Sequence, residues 1–270
     1  MSVPARKTLR QRLAKDDTLG AVWLSLGSVA LCEIAKRSRP DVIVIDMQHG
    51  LWDRLTLEAA IGTAPCDVPV LVRVADNTPA AIGQALDAGA EGVIVPLVET
   101  ADEARAAVAA AHYPPKGERS GGGIRPLANF AEYVAAAGDT VLVAAMIETK
   151  QGLRNAAAIA KVNGVDLVFI GTGDLALSIG AFPDDTQRTE AACDRILAAC
   201  KAAGTHCGTF THSLEAARAK RGQGYRLVVT ENDIALATRG FGDAAGFGRP
   251  DPAPLLSAAA QRAGPPGKRR

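Results

Sequence analysis

The chain has 270 residues, of which 48% are hydrophobic, so it can bury a sizeable core in one large domain or two small ones. Its 30 basic and 29 acidic residues nearly cancel, which gives no electrostatic case for a nucleic acid or an anionic membrane as a partner. Aromatic residues make up only 4%, so platforms for stacking bases are not expected.

The cysteines are odd in number and form no Cys-x-x-Cys pair: Cys32, Cys66, Cys193, Cys200 and Cys207. We interpret them as structural thiols in a reduced, cytoplasmic compartment. No apolar run reaches the roughly eighteen residues needed to span a bilayer, and the N-terminal segment lacks the apolar core of a signal peptide. A soluble protein without a membrane partner is therefore expected.

Short apolar runs alternate with helical patterns along the whole chain. The runs predict strands at Leu19–Leu26, Val42–Ile45, Val70–Val74, Gly92–Val95, Val141–Ile147, Val165–Ile170, His206–Thr209 and Leu227–Val229. The intervening patterns predict helices at Lys7–Ala14, Ser28 to about Lys36, Leu55–Thr63, Thr78 to about Gly89, Ala101–Ala111, Phe130–Ala137, Asn155–Lys161, Arg188–Ala203, Leu214–Arg221 and Asp233–Arg239. Most strands are apolar throughout, which indicates burial on both faces and hence a parallel sheet.

Eight strand–helix units of one composition predict a single-domain (β/α)8 barrel over residues 1–240. A doubly wound open sheet is the alternative, but it would normally show a Gly-x-Gly-x-x-Gly loop after an early strand, and none occurs there. The segment 241–270 is rich in Pro, Gly and Ala and is predicted to be a flexible tail.

In such a barrel the active site lies at the carboxyl ends of the strands. Polar residues directly follow several predicted strands: Asp46 and His49, Arg73, Glu148, Asp174, and Thr230 with Glu231. Glu148 and Asp174 follow consecutive strands and offer the hard oxygen ligands that Mg²⁺ or Mn²⁺ prefers. The alternative is that the two acids only cap the helices that follow them.

A divalent metal, an arginine and a glycine-rich turn suit the binding of a 2-oxo acid. The turn Gly171–Asp174 offers backbone N–H groups to a carboxylate, and Arg73 offers a bidentate fork or else a structural contact. Chelation of the keto acid would acidify its α-protons, and His49 is the best candidate for the base, although an isolated histidine is more often structural. No lysine lies within a predicted strand, so Schiff-base chemistry is not expected.

Five segments carry a resemblance to a known family: IDMQHG, VRVADNTPAAIGQALDAGAEGVIVPLVET, YPPKGERSGGG, MIETKQGL and GVDLVFIGTGDLALSIG. In order and spacing, from about Gly20 to Asp233, they resemble the 4-hydroxy-2-oxoheptanedioate aldolases, class II pyruvate aldolases related to the citrate lyase β-subunit. The resemblance implies that Glu148 and Asp174 hold a divalent metal, Mg²⁺ or Mn²⁺, with Co²⁺ as a further candidate.

By the same resemblance, His49 would accept the proton, and Arg73 would bind pyruvate and stabilise the transition state. Gly173 and Asp174 would contact pyruvate. The family also pairs its histidine with an aspartate, which corresponds here to the catalytic candidate Asp87.

Asp87 ends a predicted helix, so it should lie at the opposite face of its own barrel. Either a neighbouring subunit supplies Asp87, or Asp46 is the partner of the histidine. The resemblance also implies a homo-oligomer, usually a hexamer built from dimers, in which the last helix packs on a neighbour. Asp233–Arg239 would be that helix.

The predicted reaction is the reversible retro-aldol cleavage of a 4-hydroxy-2-oxo acid to pyruvate and an aldehyde, through a metal-bound enolate. Met146 stands where the family usually has Gln, and Gln48 where Glu is common, which leaves the substrate open. The alternatives are a Claisen-type lyase or synthase acting on an acyl-CoA or oxaloacetate, and a non-catalytic binding or assembly barrel. The loop Tyr113–Pro126 is predicted to be a lid, with Arg119 either reaching the acceptor or solvated.

Overall fold

Eight parallel strands close into a barrel in sequence order, which confirms the predicted (β/α)8 fold. The protein is represented by a computed structural model that describes residues 6–15, 17–65 and 67–246. The strands are β1 Leu19–Leu24, β2 Val42–Asp46, β3 Val70–Arg73, β4 Gly92–Val95, β5 Leu142–Ile147, β6 Leu167–Ile170, β7 His206–Thr209 and β8 Leu227–Asn232. Thr230 and Glu231 therefore belong to the last strand rather than following it.

Helices surround the barrel and connect each strand to the next. They are α1 Leu9–Leu13, α2 Val29–Arg37, α3 Arg54–Gly62, α4 Pro79–Asp87, α5 Ala101–Ala111, α6 Ile124–Leu127, α7 Phe130–Thr140, α8 Lys150–Ala160, α9 Thr172–Ser178, α10 Thr186–Ala203, α11 Leu214–Gln223 and α12 Asp233–Ala245. Side-chain caps fix many of their starts. Thr78, for example, accepts the amide of Ala81 just before Pro79 begins α4.

Two core layers account for the continuous apolar strands. Val44 and Leu71 lie in a cluster inside the barrel, whereas Ile43 and Val72 lie in the cluster between the strands and the helices. Strands β2 to β6 are thus buried on both faces, as parallel strands covered by helices must be. The cysteines within the described ranges, Cys32, Cys193, Cys200 and Cys207, are buried and free, while Cys66 lies outside those ranges.

The chain divides into two compact units, residues 1–236 and 237–270. The first contains the whole barrel. In the second, the described residues continue α12 to Ala245, so the prediction that this helix ends at Arg239 was wrong. Gly240 and Gly242 do not stop it, because a glycine within a helix costs only about 1 kcal/mol. The rest of the predicted tail, 247–270, lies outside the described residues.

Within the described ranges, none of the helices is both long enough and apolar enough to cross a membrane.

Candidate active site

Two acidic side chains meet at the carboxyl ends of β5 and β6. Glu148 is 1% exposed, and its Oε1 accepts the backbone N–H of Leu97 at 2.8 Å. Its Oε2 is buried and accepts no hydrogen bond from the described residues. Burial, with the negative charge of the neighbouring Asp174 adding to it, raises the pKa of Glu148 to about 7. The Leu97 amide and the positive charge of Arg73 favour the ionised form of Glu148, but they offset the effect of burial on its pKa only in part.

Glycine at position 171 makes room for this carboxylate. The backbone there is ordinary, with φ −83°, but a Cβ on Gly171 would lie 2.5 Å from Glu148 Oε2 and 2.5 Å from the methyl carbon of Met146. Only glycine allows such a close approach. A Cβ on Gly173, by contrast, would meet no atom within 4 Å, so the chain leaves open space beside the half-buried Asp174.

The chemistry of this pair fits a hard divalent cation. The unpartnered, buried Oε2 of Glu148 and the adjacent carboxylate of Asp174 are oxygen ligands of the kind that Mg²⁺ and Mn²⁺ take. Nowhere in 6–15, 17–65 or 67–246 do three or more His, Cys, Asp or Glu side chains form a group that could hold a metal. Water or substrate oxygens would therefore have to complete the coordination of a cation held by these two residues.

A buried ion pair joins the ends of β2 and β3. Asp46 accepts two hydrogen bonds from Arg73, at 2.8 Å from Nε and 2.6 Å from Nη2, and both side chains are almost fully buried. Burial opposes ionisation, but Arg73 and the backbone amides of Gln48 and His49 hold the pKa of Asp46 below its usual value. Asp46 thus fixes the guanidinium, and it contacts His49 only through that residue's backbone N–H, at 3.2 Å.

The structure places His49 at the mouth but Asp87 elsewhere. His49 lies in the turn after β2, with its side chain exposed. Asp87 is the last residue of α4, which runs back from the mouth, so it lies at the amino ends of the strands. There its carboxylate accepts a hydrogen bond from Arg119 Nη2 at 2.8 Å. Within one chain, Asp87 and His49 are not brought together.

The loop Tyr113–Pro126 is not a lid over its own barrel. It joins α5 to β5, and such connections lie at the face opposite the mouth. Arg119 is 4% exposed rather than solvated, and its guanidinium lies over the rings of Tyr113 and Tyr133, at 4.7 and 5.4 Å. The expectation that Arg119 is solvated was therefore wrong, and within its own chain Arg119 lies at the face opposite the mouth. It anchors this loop to Asp87 and α7.

Aromatic side chains inside the barrel lie beneath the polar groups of the mouth. Trp23 on β1 stacks on Phe169 at 5.8 Å, contacts Phe210 edge-on at 5.5 Å, and lies under the guanidinium of Arg73 at 5.0 Å. Met146 is buried in the same interior cluster. Sequence reasoning missed this apolar floor. The alternation of positions along each predicted strand could have assigned Trp23 and Phe169 to the inside.

The chain is similar to known aldolases over most of its length. The family profile described as HpcH/HpaI aldolase/citrate lyase matches residues 20–238. A hydroxypyruvate/pyruvate aldolase from Rhizorhabdus wittichii is 38% identical over 225 residues, which are 80% of this chain and 88% of that protein.

Two solved structures extend the comparison. An HpcH/HpaI aldolase/citrate lyase family protein from Burkholderia cenocepacia J2315 has a TM-score of 0.84 at 35% identity, covering 90% of this chain and 99% of the other. The citrate synthase SbnG has a TM-score of 0.80 at 26% identity, covering 89% and 97%. The family resemblance seen in the sequence motifs is confirmed.

Proposed function

The chain belongs to the HpcH/HpaI aldolase/citrate lyase family, and we propose that this enzyme is a metal-dependent aldolase. It would cleave a 4-hydroxy-2-oxo acid reversibly to pyruvate and an aldehyde. The observation that carries the proposal is the buried carboxylate of Glu148, whose Oε2 has no protein hydrogen bond and lies beside Asp174. A buried charge is costly unless it is paired or coordinates a metal, so this arrangement is suited to a cation.

Each residue of the mouth has a role in this reaction. Glu148 and Asp174 would hold Mg²⁺ or Mn²⁺, which when bound would polarise the keto group of pyruvate and acidify its methyl protons. Arg73, held by Asp46, would direct its remaining N–H groups at the developing oxyanion. His49, exposed in its turn, would accept the proton of the aldol hydroxyl group and return a proton to the enolate carbon, which becomes the methyl group of pyruvate.

The binding of pyruvate would use the open space beside α9. Gly173 has no neighbour within 4 Å of its Cβ position, which leaves room for the carboxylate of the substrate next to Asp174. The apolar floor formed by Trp23 and Met146 would exclude water from beneath it. The amide that the family usually provides at position 146 is replaced here by a thioether, so Arg73 would carry more of the recognition.

Asp87 can support His49 only if a second copy of the chain supplies it. In one barrel the two residues lie at opposite faces, and Asp87 is held by Arg119. We therefore propose a homo-oligomer, a hexamer by resemblance to the family, in which the amino face of one barrel meets the mouth of another. Sedimentation velocity would test this state directly, and a monomer that remains fully active would rule out the role of Asp87.

The proposed reaction is tested by pyruvate release. The purified protein, first treated with EDTA, is given a panel of 4-hydroxy-2-oxo acids of different chain lengths, and pyruvate is measured with lactate dehydrogenase. Release should require added Mn²⁺ or Mg²⁺ and should be lost in Glu148→Ala. Failure to release pyruvate from any of these acids under any divalent metal would overturn the proposal.

A second candidate is a Claisen-type condensation or cleavage, favoured by the structural likeness to citrate synthase SbnG. Both reactions would use an enolate stabilised at the same mouth, so the fold does not separate them. Release of free thiol from acetyl-CoA in the presence of oxaloacetate would identify the Claisen reaction. Activity with the 4-hydroxy-2-oxo acids and none with acetyl-CoA would identify the aldolase.

A further inference from the structure

Leu97 has an unusual backbone conformation for its residue type. Among the described residues, only Arg39 and Leu97 combine a side chain with a positive φ, 50° and 54°. Arg39 directly follows Ser38, the C-cap of α2, and a left-handed residue commonly occupies the position after a C-cap. Leu97 follows β4 and ends no helix. A bulky residue with a positive φ is strained, so surrounding contacts must hold Leu97 in this conformation.

The conformation turns two successive amides toward β5. Leu97 N–H donates to Glu148 Oε1 at 2.8 Å, and Val98 N–H donates to the carbonyl of Met146 at 3.0 Å. In an extended strand, successive N–H groups point to opposite sides, so both could not reach the same neighbour. A left-handed residue brings them to one side. Only the Leu97 N–H contacts the carboxylate of Glu148, whereas the Val98 N–H fixes the turn to the backbone of β5.

Packing of the leucine side chain does not account for the strain, because that side chain is 53% exposed. The turn is instead held by its neighbours. Val98 is 1% exposed, the carbonyl of Glu99 accepts from Asn155 Nδ2 at 2.7 Å, and Glu99 Oε1 accepts from Thr149 Oγ1 at 2.6 Å. The surroundings thus impose a strained backbone beside the candidate metal ligand, which is typical of functional sites.

We propose that Leu97 is a positioning residue whose backbone amide orients Glu148 for metal binding. The two oxygens of a carboxylate are chemically equivalent, and the amide distinguishes them by occupying Oε1. Oε2 is then the oxygen that is presented beside Asp174, free of protein hydrogen bonds. Hydrogen bonds of this kind orient metal ligands and typically change metal affinity by about 10- to 100-fold. This inference rests on the proposed metal-dependent function.

The decisive test removes the N–H without changing the side chain. Leucic acid is incorporated at position 97 by nonsense suppression, which replaces the amide by an ester. The matched control is the corresponding ester at Val98. It removes a hydrogen bond of similar length, from the Val98 N–H to the carbonyl of Met146 in β5. Binding of Mn²⁺ to the metal-free full-length protein is measured by calorimetry, and urea unfolding is measured for each protein.

The Leu97 ester should bind Mn²⁺ about tenfold more weakly than wild type. The Val98 ester should bind within about twofold of wild type while losing comparable resistance to urea. Equal affinities for the two esters would overturn the inference. Absence of Mn²⁺ binding by wild type would instead contradict the proposed function, so the two failures are distinguishable.

Ordinary substitutions give an independent test. Leu97→Asn keeps the amide and tolerates the left-handed conformation, so its Mn²⁺ affinity should stay within about twofold of wild type. Leu97→Val carries a β-branched side chain that strongly disfavours a positive φ, so the turn should open and the affinity should fall by about tenfold. If the valine variant is folded and binds as tightly as the asparagine variant, the positioning role is excluded.

Discussion

Replacing Glu148 with glutamine should stabilise the metal-free protein at alkaline pH and remove its response to a divalent cation. Burial, assisted by the charge of Asp174, raises the pKa of Glu148 from an ordinary 4.5 to about 7. Between these two pH values, the folded chain retains a proton that the unfolded chain has released. The free energy of unfolding therefore falls as the pH rises through this range, and the full loss is present above about pH 7.

The size of this effect follows from the two pKa values. One pKa unit corresponds to about 1.4 kcal/mol, so the difference between 4.5 and about 7 amounts to about 3 kcal/mol. Glutamine is neutral at every pH, and its side-chain oxygen can still accept the N–H of Leu97. The variant therefore escapes the cost of ionising a buried carboxyl group. It also loses the charge that a cation needs.

Urea unfolding in EDTA checks this prediction. Glu148→Gln should exceed wild type by about 3 kcal/mol near pH 8.5 and by less than about 1 kcal/mol near pH 5. The exposed Glu118→Gln is the matched control and should show no such pH-dependent difference. Mn²⁺ added near pH 8.5 should stabilise wild type only. A Glu148→Gln protein no more stable than wild type near pH 8.5 would refute the reasoning.

Two further predictions concern the geometry of the mouth. Gly171→Ala would place a Cβ 2.5 Å from Glu148 Oε2, so its Mn²⁺ affinity should fall by at least about tenfold. The control Gly173→Ala places its Cβ within 4 Å of no atom and should fold normally. Equal Mn²⁺ affinities of the two variants, measured by calorimetry, would contradict the predicted clash at Glu148. Asp46→Asn leaves Arg73 buried without its charge partner, and should cost about 3–5 kcal/mol by urea unfolding. Its kcat for pyruvate release should fall by about 100-fold, and an unchanged kcat would exclude the role of Arg73.

The barrel could be predicted because its strands are buried on both faces. Ile43 and Val44 point to opposite sides of β2, yet both are fully buried, so the apolar run was continuous. Eight strand patterns between helical segments, most of them such continuous runs, are typical of a barrel of parallel strands covered by helices. The placement of Glu148 and Asp174 followed from the same pattern, since residues after consecutive parallel strands lie at one end of the sheet.

The pairing of side chains could not be predicted in the same way. Asp46 is held by Arg73 because β2 and β3 are adjacent in register, with Asp46 opposite Arg73. From the sequence, Asp46 was considered only as an alternative to Asp87 as the partner of His49. Arg119 was expected in solvent or at the acceptor, but a long side chain can reach a distant carboxylate, here Asp87, and two aromatic rings. Such contacts depend on tertiary structure.

The left-handed turn at Leu97 left no trace in the sequence either. Positive φ values are normally indicated by glycine or asparagine, and the segment Val95–Glu99 contains neither. The conformation is imposed by contacts with β5 and α8, which are formed by residues about fifty positions later. Local sequence preference is overridden at this point, next to the candidate metal ligand.

The most direct test of the proposed mechanism is proton–deuterium exchange at the methyl group of pyruvate, followed by proton NMR in heavy water without any aldehyde. Exchange requires only that the enolate forms, so it does not depend on knowing the acceptor. Wild type should catalyse it with Mn²⁺ or Mg²⁺ and not in EDTA, Glu148→Ala should abolish it, and His49→Ala should slow it. No exchange by wild type under any divalent metal would contradict the pyruvate-enolate mechanism.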